Sequence, residues 1–544
     1  MKRRIVGSIA LLAMFATPPS ITAQAGSQTT RDAVVTAEAA SLPLGPAGLS
    51  ETRMKTRLQR GVTLTTIVRG ATDPSHVWTV ETNIAAGSTS PDPDAPPRSL
   101  TDRASAEAFA DRLRAEGFHP RVEEVVTPAT ADYAGGSIGW RVRVGRFADK
   151  ATADAMLARL VAAGFTGASR FTGWDGSPTD RGPWRLQVLT IDPDRFRGSL
   201  LASYGPDLED RETTSALSIA HGATAAVNAG YFVFDPASGA PGDPAGIGVY
   251  SGKLLSESVG RRPALVLRDD ASRTRVKRLR WFGKVKDREG VRLRLDGIDR
   301  VPGLIRNCGG TADDVPTPLP LHDFTCTDSD ELVAFTSEFG QDTPTGPGLE
   351  AVLDQHDRVV SLRSPRGGPL LTGYQAIQAT GSLVDDLRET AVVGKKLKIT
   401  TRLRYVRHHR IRPRSSMSIV NGGPELVRDG RLHVTPRVDG FVRPTDPSFY
   451  YGFSAKRNPR TFAGVDAEGR ILLATADGRS TSSLGLTIVE TGAVARALGM
   501  RDALNLDGGG STTMVVEGQV INQPSDDTGE RPVGDALLIL PRAR

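Results

Sequence analysis

Two stretches of the chain carry the same pattern of apolar and polar positions. In residues 106–118 (AEAFADRLRAEGF) and 153–165 (ADAMLARLVAAGF), apolar side chains recur at three- and four-residue steps, and seven of the thirteen positions are identical. That period predicts two helices, each with one buried face, and Gly117 and Gly164 stand where a left-handed residue ends a helix. Each helix follows an extended, alternating run (HVWTVETNI, GWRVRVGRF) and precedes another. The prediction is β-α-β, twice, over residues 75–173.

From residue 181 to residue 541 the pattern changes to many short strands bounded by turn residues, with few helices, such as one over 484–498. No regular strand-helix alternation is present, so the fold class is α+β, with one large, mostly β domain over 181–541. Upstream, GVTLTTIVRG has the β-branched alternation of a strand that joins a sheet elsewhere, and residues 26–74 read as a linker carrying this accessory strand. The insert GSTSPDPDAPPRS, ahead of the first helix, reads as a loop.

Residues 1–25 form a signal peptide by pattern: Lys2, Arg3 and Arg4 precede a short apolar run, and Ala23-Gln24-Ala25 is a cleavage site. The expected location is secreted, extracellular or associated with the cell wall. No later run approaches the roughly 20 apolar residues of a membrane helix, so no membrane span is expected. Export gives the two cysteines a context. Cys308 and Cys326 predict one disulfide, worth about 3 kcal/mol by loop closure.

Composition adds little. Net charge +6 on 544 residues suits an anionic polymer without identifying one. Residues 395–414 (KKLKITTRLRYVRHHRIRPR) hold nine Lys or Arg and no acid; strand alternation favours a solvated face over a polymer-binding patch. There is no C-x-x-C, and His408 and His409 are adjacent and point apart on a strand, so neither a metal nor a cofactor is expected. The nucleophile-elbow, phosphate-loop and H-E-x-x-H motifs are missing, and GIGVYSGKL fails the nucleotide spacings. No nucleic-acid partner is expected.

Candidate chemistry lies at apolar-to-polar transitions: NAGYF with Asn228 and Gly230, VNGGPELV with Asn421 and Gly422, KRNPRTFAGV with Arg457 and Arg460, LLATADGRS with Asp477, and LNLDGGGSTTM with Asn505, Asp507, Gly508, Gly509, Gly510 and Ser511. Singly, the Asn-Gly and Asp-Gly pairs are hairpin signals, and ADGRS and VRDGR read as hairpin tips. Taken in order with NPRTFAGVDAEGRILLATADGR and ERPVGDALLI, the set resembles the phosphodiester glycosidases related to the mannose-6-phosphate uncovering enzyme, over residues 181–541. The helix repeat, with WRVRVGRFADKATADAMLARL its nearest match, resembles the sporulation-related repeat, or SPOR domain.

The resemblances imply a ferredoxin-like SPOR sheet that binds peptidoglycan glycan strands, and a large domain that removes a sugar, N-acetylglucosamine in that family, from a phosphodiester. Such a reaction places positive charge on the sugar ring and negative charge on the departing phosphate. Asp507 is the first candidate for nucleophile, base or cation stabiliser, and Asp477 the second. Arg460 is the phosphate clamp, with Arg457 behind it. The three glycines are expected to offer backbone N–H groups as an anion nest, and Asn228, Asn421 and their neighbours to contact the sugar. Two further readings stay open: a wall-glycan binder without turnover, and a hydrolase of ordinary exopolysaccharide glycosides.

Overall fold

The computed structural model describes residues 41–84, 98–306, 314–316, 325–406, 409–443 and 447–542. The expected signal segment lies outside them, as does Cys308 and with it the expected disulfide; Cys326 is on the short strand Thr325–Thr327.

An eight-stranded antiparallel sheet organises the large domain, with strand order Glu51–Gln59, Val62–Arg69, Trp184–Ile191, Ile471–Ala476, Arg460–Val465, Asp502–Asn505, Glu425–Arg428 and Arg431–Leu432. One face carries Leu189, Ile191, Ala463, Leu473 and Leu504 into a core shared with Val227, Leu537 and Ile539 of a five-stranded sheet and Leu265 and Leu267 of a third sheet. The other face carries Leu186, Val188, Phe462 and Ala474 against Ile488, Val494 and Ala495 of the helix Ile488–Ala497. With both faces covered, strands Arg460–Val465 and Ile471–Ala476 are buried at every position. That is why TFAGV and ILLATA read as unbroken small and apolar runs.

The helix expected over 484–498 begins later, because Leu484 and Leu486 remain extended and bond the backbone of Pro183 and Asn458. It starts at a capping box in which Thr487 and Glu490 satisfy each other's amides at 3.1 and 2.9 Å. At VRDGR the chain does turn as a hairpin, with Asp429 and Gly430 both at positive φ, 50° and 76°.

Val62–Arg69 pairs with Trp184–Ile191 from Val62 opposite Ile191 to Arg69 opposite Trp184. The large domain therefore begins before the β-α-β repeat, which is inserted between two neighbouring strands of the main sheet. The insert is a four-stranded antiparallel sheet, ordered Pro120–Thr127, Gly136–Phe147, Trp78–Thr82, Gly167–Phe171. Helices Arg103–Ala115 and Lys150–Ala162 pack on one face through Phe109, Leu113 and Leu160 over Val80, Val142 and Val144.

The helix-free face of that sheet is not open to solvent. Glu81, Arg141 and Arg143 point from it into a buried network with Asp175, Tyr451 and Lys456: Arg143 Nη2 to Glu81 at 2.7 Å, Tyr451 Oη to Glu81 at 2.8 Å and Lys456 Nζ to Glu81 at 2.6 Å. Burial opposes ionisation of Glu81, but Lys456, Arg143 and Arg141 overcome it and hold the carboxyl well below its usual range. Among the described residues, no helix is long and apolar enough to cross a membrane.

Candidate active site

The antiparallel register brings three strand ends to one place. Arg460 opens its strand opposite Ala476, and Phe462 lies opposite Asn505, so the segments following Ala476 and Asn505 emerge beside Arg460. There a cleft is lined by Asp507, Arg460, Arg479 and Arg531, by Ser511, and by the aromatic rings of Tyr231, Phe232, Phe234 and Phe453. Asp507 is the one carboxylate in this lining.

Asp507 is held by its backbone. Its N–H donates to Ala229 O at 2.9 Å, and its carbonyl accepts Asn228 Nδ2 at 2.8 Å. Asn228 is fully buried, and its Oδ1 accepts Thr461 Oγ1 at 2.7 Å and Thr513 N at 3.1 Å. The amide thus ties strands Ala225–Asn228 and Arg460–Val465 and the residue just before strand Met514–Val516 to the loop that carries the carboxylate. It holds the loop of Asp507 in place and is not among the residues that line the cleft, where a sugar contact was expected.

The other amides act similarly. Asn421 exchanges two hydrogen bonds with the backbone of Tyr231, at 2.8 and 3.1 Å. Asn505 donates to Tyr231 Oη at 2.7 Å and to Leu506 O at 2.6 Å. Both position the tyrosine on the cleft wall. Gly230 and Gly422 are places of close approach: a Cβ would lie 2.7 Å from Asn421 Nδ2 in the first case and 2.7 Å from Asn505 O in the second.

The glycine run does not form the expected nest. Gly508 N donates to Asp507 Oδ1 at 3.0 Å and Gly509 N to Pro459 O at 3.0 Å, so two of the three amides are engaged inside the protein. The glycines are needed for space and backbone angle. A Cβ on Gly508 would meet Pro459 O at 2.9 Å, one on Gly510 would collide with the Arg531 guanidinium and the Asp526 carboxylate, and Gly509 adopts φ 61°.

The two arginines of KRNPR part company. Arg460 is 1% exposed, donates from Nε to Leu486 O at 3.0 Å and from Nη2 to Phe453 O, and lies 5.1 Å over the Phe453 ring. Arg457 faces away from the cleft. It bonds Asp180, Glu490 (2.6 Å), Gly173 O (2.9 Å) and Ser177 O (3.0 Å) and stacks 5.2 Å over Trp184. With its guanidinium engaged on every side it ties the main sheet to the segment leaving the insert, and is no reserve phosphate clamp.

Asp477 is likewise outside the lining. It is 3% exposed, accepts Asn522 Nδ2 at 3.2 Å and Gln523 N at 3.1 Å, and has its pKa raised by burial, so it holds a loop. Its neighbour Arg479, passed over in the sequence as part of a hairpin tip, enters the cleft at φ 54° and bonds Asn458 Oδ1 at 3.2 Å. Arg531, also missed, makes a two-point contact with Asp526 at 2.7 and 3.0 Å and lies 5.4 Å over Phe234. Ser511 Oγ is buried and has no hydrogen-bond partner among the described residues. Both arginines stand in stretches that carry the family resemblance, ERPVGDALLI and LLATADGR, but neither was singled out there as a site residue.

Beneath the cleft, Asp535 accepts Gly230 N at 2.6 Å and Tyr250 Oη at 2.8 Å, yet burial raises its pKa to about 6. The folded chain therefore keeps a proton there that the unfolded chain releases near pH 4. Stability from this group is fully present below about pH 4 and is lost as pH rises through 6, by up to about 3 kcal/mol. Denaturant titrations should show the parent losing up to that amount relative to Asp535→Asn between pH 4 and 7; a constant difference across that range rules the effect out.

Comparison with known proteins bears on this geometry. Residues 363–540 match the family model "phosphodiester glycosidase", and residues 98–170 match the SPOR domain. The crystal structure of a Burkholderia pseudomallei protein, named as a candidate exported protein, superposes with TM-score 0.81 at 33% identity, covering 93% of this chain and 100% of that one. A Synechocystis structure at 16% identity, covering 94% of this chain and 80% of its own, shares the fold with TM-score 0.51. Mouse N-acetylglucosamine-1-phosphodiester alpha-N-acetylglucosaminidase is 32% identical over 111 residues, 20% of this chain and 21% of that protein. The SPbeta prophage protein YomE of Bacillus subtilis is 40% identical over 83 residues, 15% of this chain and 13% of its own. The chain thus spans about a fifth or less of the length of these curated relatives. It belongs to one family with the Burkholderia protein, and carries a phosphodiester glycosidase domain matched over residues 363–540 and a SPOR domain matched over residues 98–170.

Proposed function

We propose that this chain is an exported glycosidase that removes a sugar, N-acetylglucosamine as the first candidate, from a phosphodiester, and that its SPOR domain holds it on peptidoglycan glycan strands. The observation that carries this reading is one carboxylate facing three guanidinium groups in an aromatic-walled cleft. Asp507 supports the positive charge that develops at the anomeric carbon, as nucleophile or as base. Arg460, Arg479 and Arg531 accept the negative charge of the leaving phosphate. Rings such as Phe453 and Tyr231 face the sugar, and the Ser511 hydroxyl has a hydrogen bond to give it. A phosphate monoester departs without a strong acid, which suits a cleft with a single carboxylate. Hydrolysis of an ordinary glycoside calls for two.

In the intact chain Tyr451 and Lys456 cover the helix-free SPOR face, so a bound glycan strand lies on the remaining surface of that domain.

The full chain should release N-acetylglucosamine from a GlcNAc-1-phosphodiester. Arg479→Met should lower kcat/KM on that substrate about 10²-fold while sparing an aryl N-acetylglucosaminide, whose leaving group carries no phosphate. Equal losses on both substrates reject the phosphate assignment. No release from any sugar phosphodiester leaves the wall-glycan binder as the function.

A further inference from the structure

The basic stretch 395–414 acquires a partner in the fold. Strands Arg275–Lys286 and Lys398–Tyr405 pair with Arg280 opposite Arg404, Phe282 opposite Arg402, Lys284 opposite Thr400 and Lys286 opposite Lys398. Flanking strands add Arg294 beside Lys284, Arg292 beside Lys286 and Arg410 beside Arg404. Directly opposed residues share a face, as do alternate residues along a strand. One face of this sheet therefore gathers Arg280, Lys284, Lys286 and six further cations, with Thr400 and Phe282 among them and no Asp or Glu. Leu279, Val285 and Leu403, of opposite parity, are buried on the other face.

By strand spacing the face measures roughly 20 by 14 Å. Among the described residues, no acid pairs with these cations. Arg278, the next residue on the same side, does find acids, in Glu425 and Asp439. The buried Nε atoms of Arg280 and Arg404 have no hydrogen-bond partner among the described residues. Lys284 is held below the usual lysine range, first by desolvation and then by Arg292, Arg402 and Lys286. Such a field destabilises the sheet unless anions approach it. Phe282 is 53% exposed at its centre, with Arg404 5.7 Å over the ring.

We propose that this face binds a polyanionic polysaccharide whose units are joined by phosphodiesters, feeding the polymer to the enzyme. Repeated phosphates meet the cationic rows, and the Phe282 ring offers an apolar surface to a sugar. A single aromatic ring does not make the stacking platform that single-stranded nucleic acid requires. The inference rests on the phosphodiester reading of the cleft and names the polymeric form of its substrate.

The test uses full-length protein with Lys284→Gln, Arg294→Gln and Arg402→Gln combined, none of which lines the cleft. Binding is measured by affinity electrophoresis in poly(N-acetylglucosamine 1-phosphate), in an Asp507→Asn background so that the polymer stays intact. Dextran, single-stranded DNA and phosphatidylglycerol vesicles serve as comparisons. Expected are tight binding that 0.5 M salt abolishes, about a hundredfold weaker binding by the triple variant at a melting temperature no lower than the parent's, and weaker binding of all three comparison probes. In the otherwise native enzyme the triple variant should raise KM for the polymer and leave a small GlcNAc-1-phosphodiester unaffected. Equal polymer binding by variant and parent, salt-insensitive binding, or tighter binding of DNA or vesicles overturns the proposal. Salt-sensitive polymer binding lost in the triple variant, with no sugar released by the native enzyme, sinks the catalytic reading and leaves the polymer-binding face standing.

Discussion

Asp507→Asn should lower kcat on a sugar phosphodiester by about 10²–10⁴-fold while leaving the fold intact. The carboxylate's Oδ1 accepts Gly508 N, and the asparagine carbonyl can accept the same bond. The loop is fixed by backbone contacts to Ala229 and Asn228, neither of which involves the charge. On the proposed role of Asp507 the change removes the negative charge near the anomeric carbon, so KM should change little. Steady-state kinetics with melting curves on the same preparation decide the matter. A folded variant with near-normal kcat would remove Asp507 from the chemistry, and would also remove the case for turnover in a cleft with no second carboxylate lining it.

Arg457→Met should have the opposite profile, a loss of stability on the order of 3–5 kcal/mol with little effect on kcat/KM per folded molecule. The guanidinium is fully buried between Asp180 and Glu490. Its removal strands two carboxylates, one of which also meets His76 at 2.9 Å and the other of which closes the capping box of helix Ile488–Ala497. Methionine fills much of the volume and cannot pair with either. Chemical denaturation gives the stability, and active-site-normalised kinetics give the activity. A variant as stable as the parent would mean that the pair contributes nothing. One that is stable but selectively poor on phosphodiesters would return Arg457 to the phosphate.

The contrast between the two arginines shows where legibility in the sequence stops. They lie three residues apart in KRNPR and are chemically identical. Pro459 and the opening of strand Arg460–Val465 direct one toward the cleft, while Arg457 sits before the proline, where the backbone bonds Trp174 O. Nothing local records that Asp180, 277 residues away, waits for the second. Arg479 shows the reverse: ADGRS has the composition of a turn, and only the packing of the neighbouring Gly478 against Asn458 and Pro459 brings the arginine into the site.

By itself the sequence determined what depends on short-range periodicity and composition: two capped amphipathic helices between strands, a β-rich remainder, a basic strand and a polar loop at Asp507. These follow from side-chain spacing along a regular backbone, which is a local property. The tertiary structure alone decided which polar groups meet. The insertion of the SPOR domain between paired strands, the covering of its open face by Tyr451 and Lys456, the inward turn of the Gly508 and Gly509 amides, and the gathering of cations from four strands onto one face all depend on contacts between distant segments. Buried polar atoms must find partners wherever the fold places them, and those partners are chosen by register and packing across the whole chain, which no single stretch of sequence encodes.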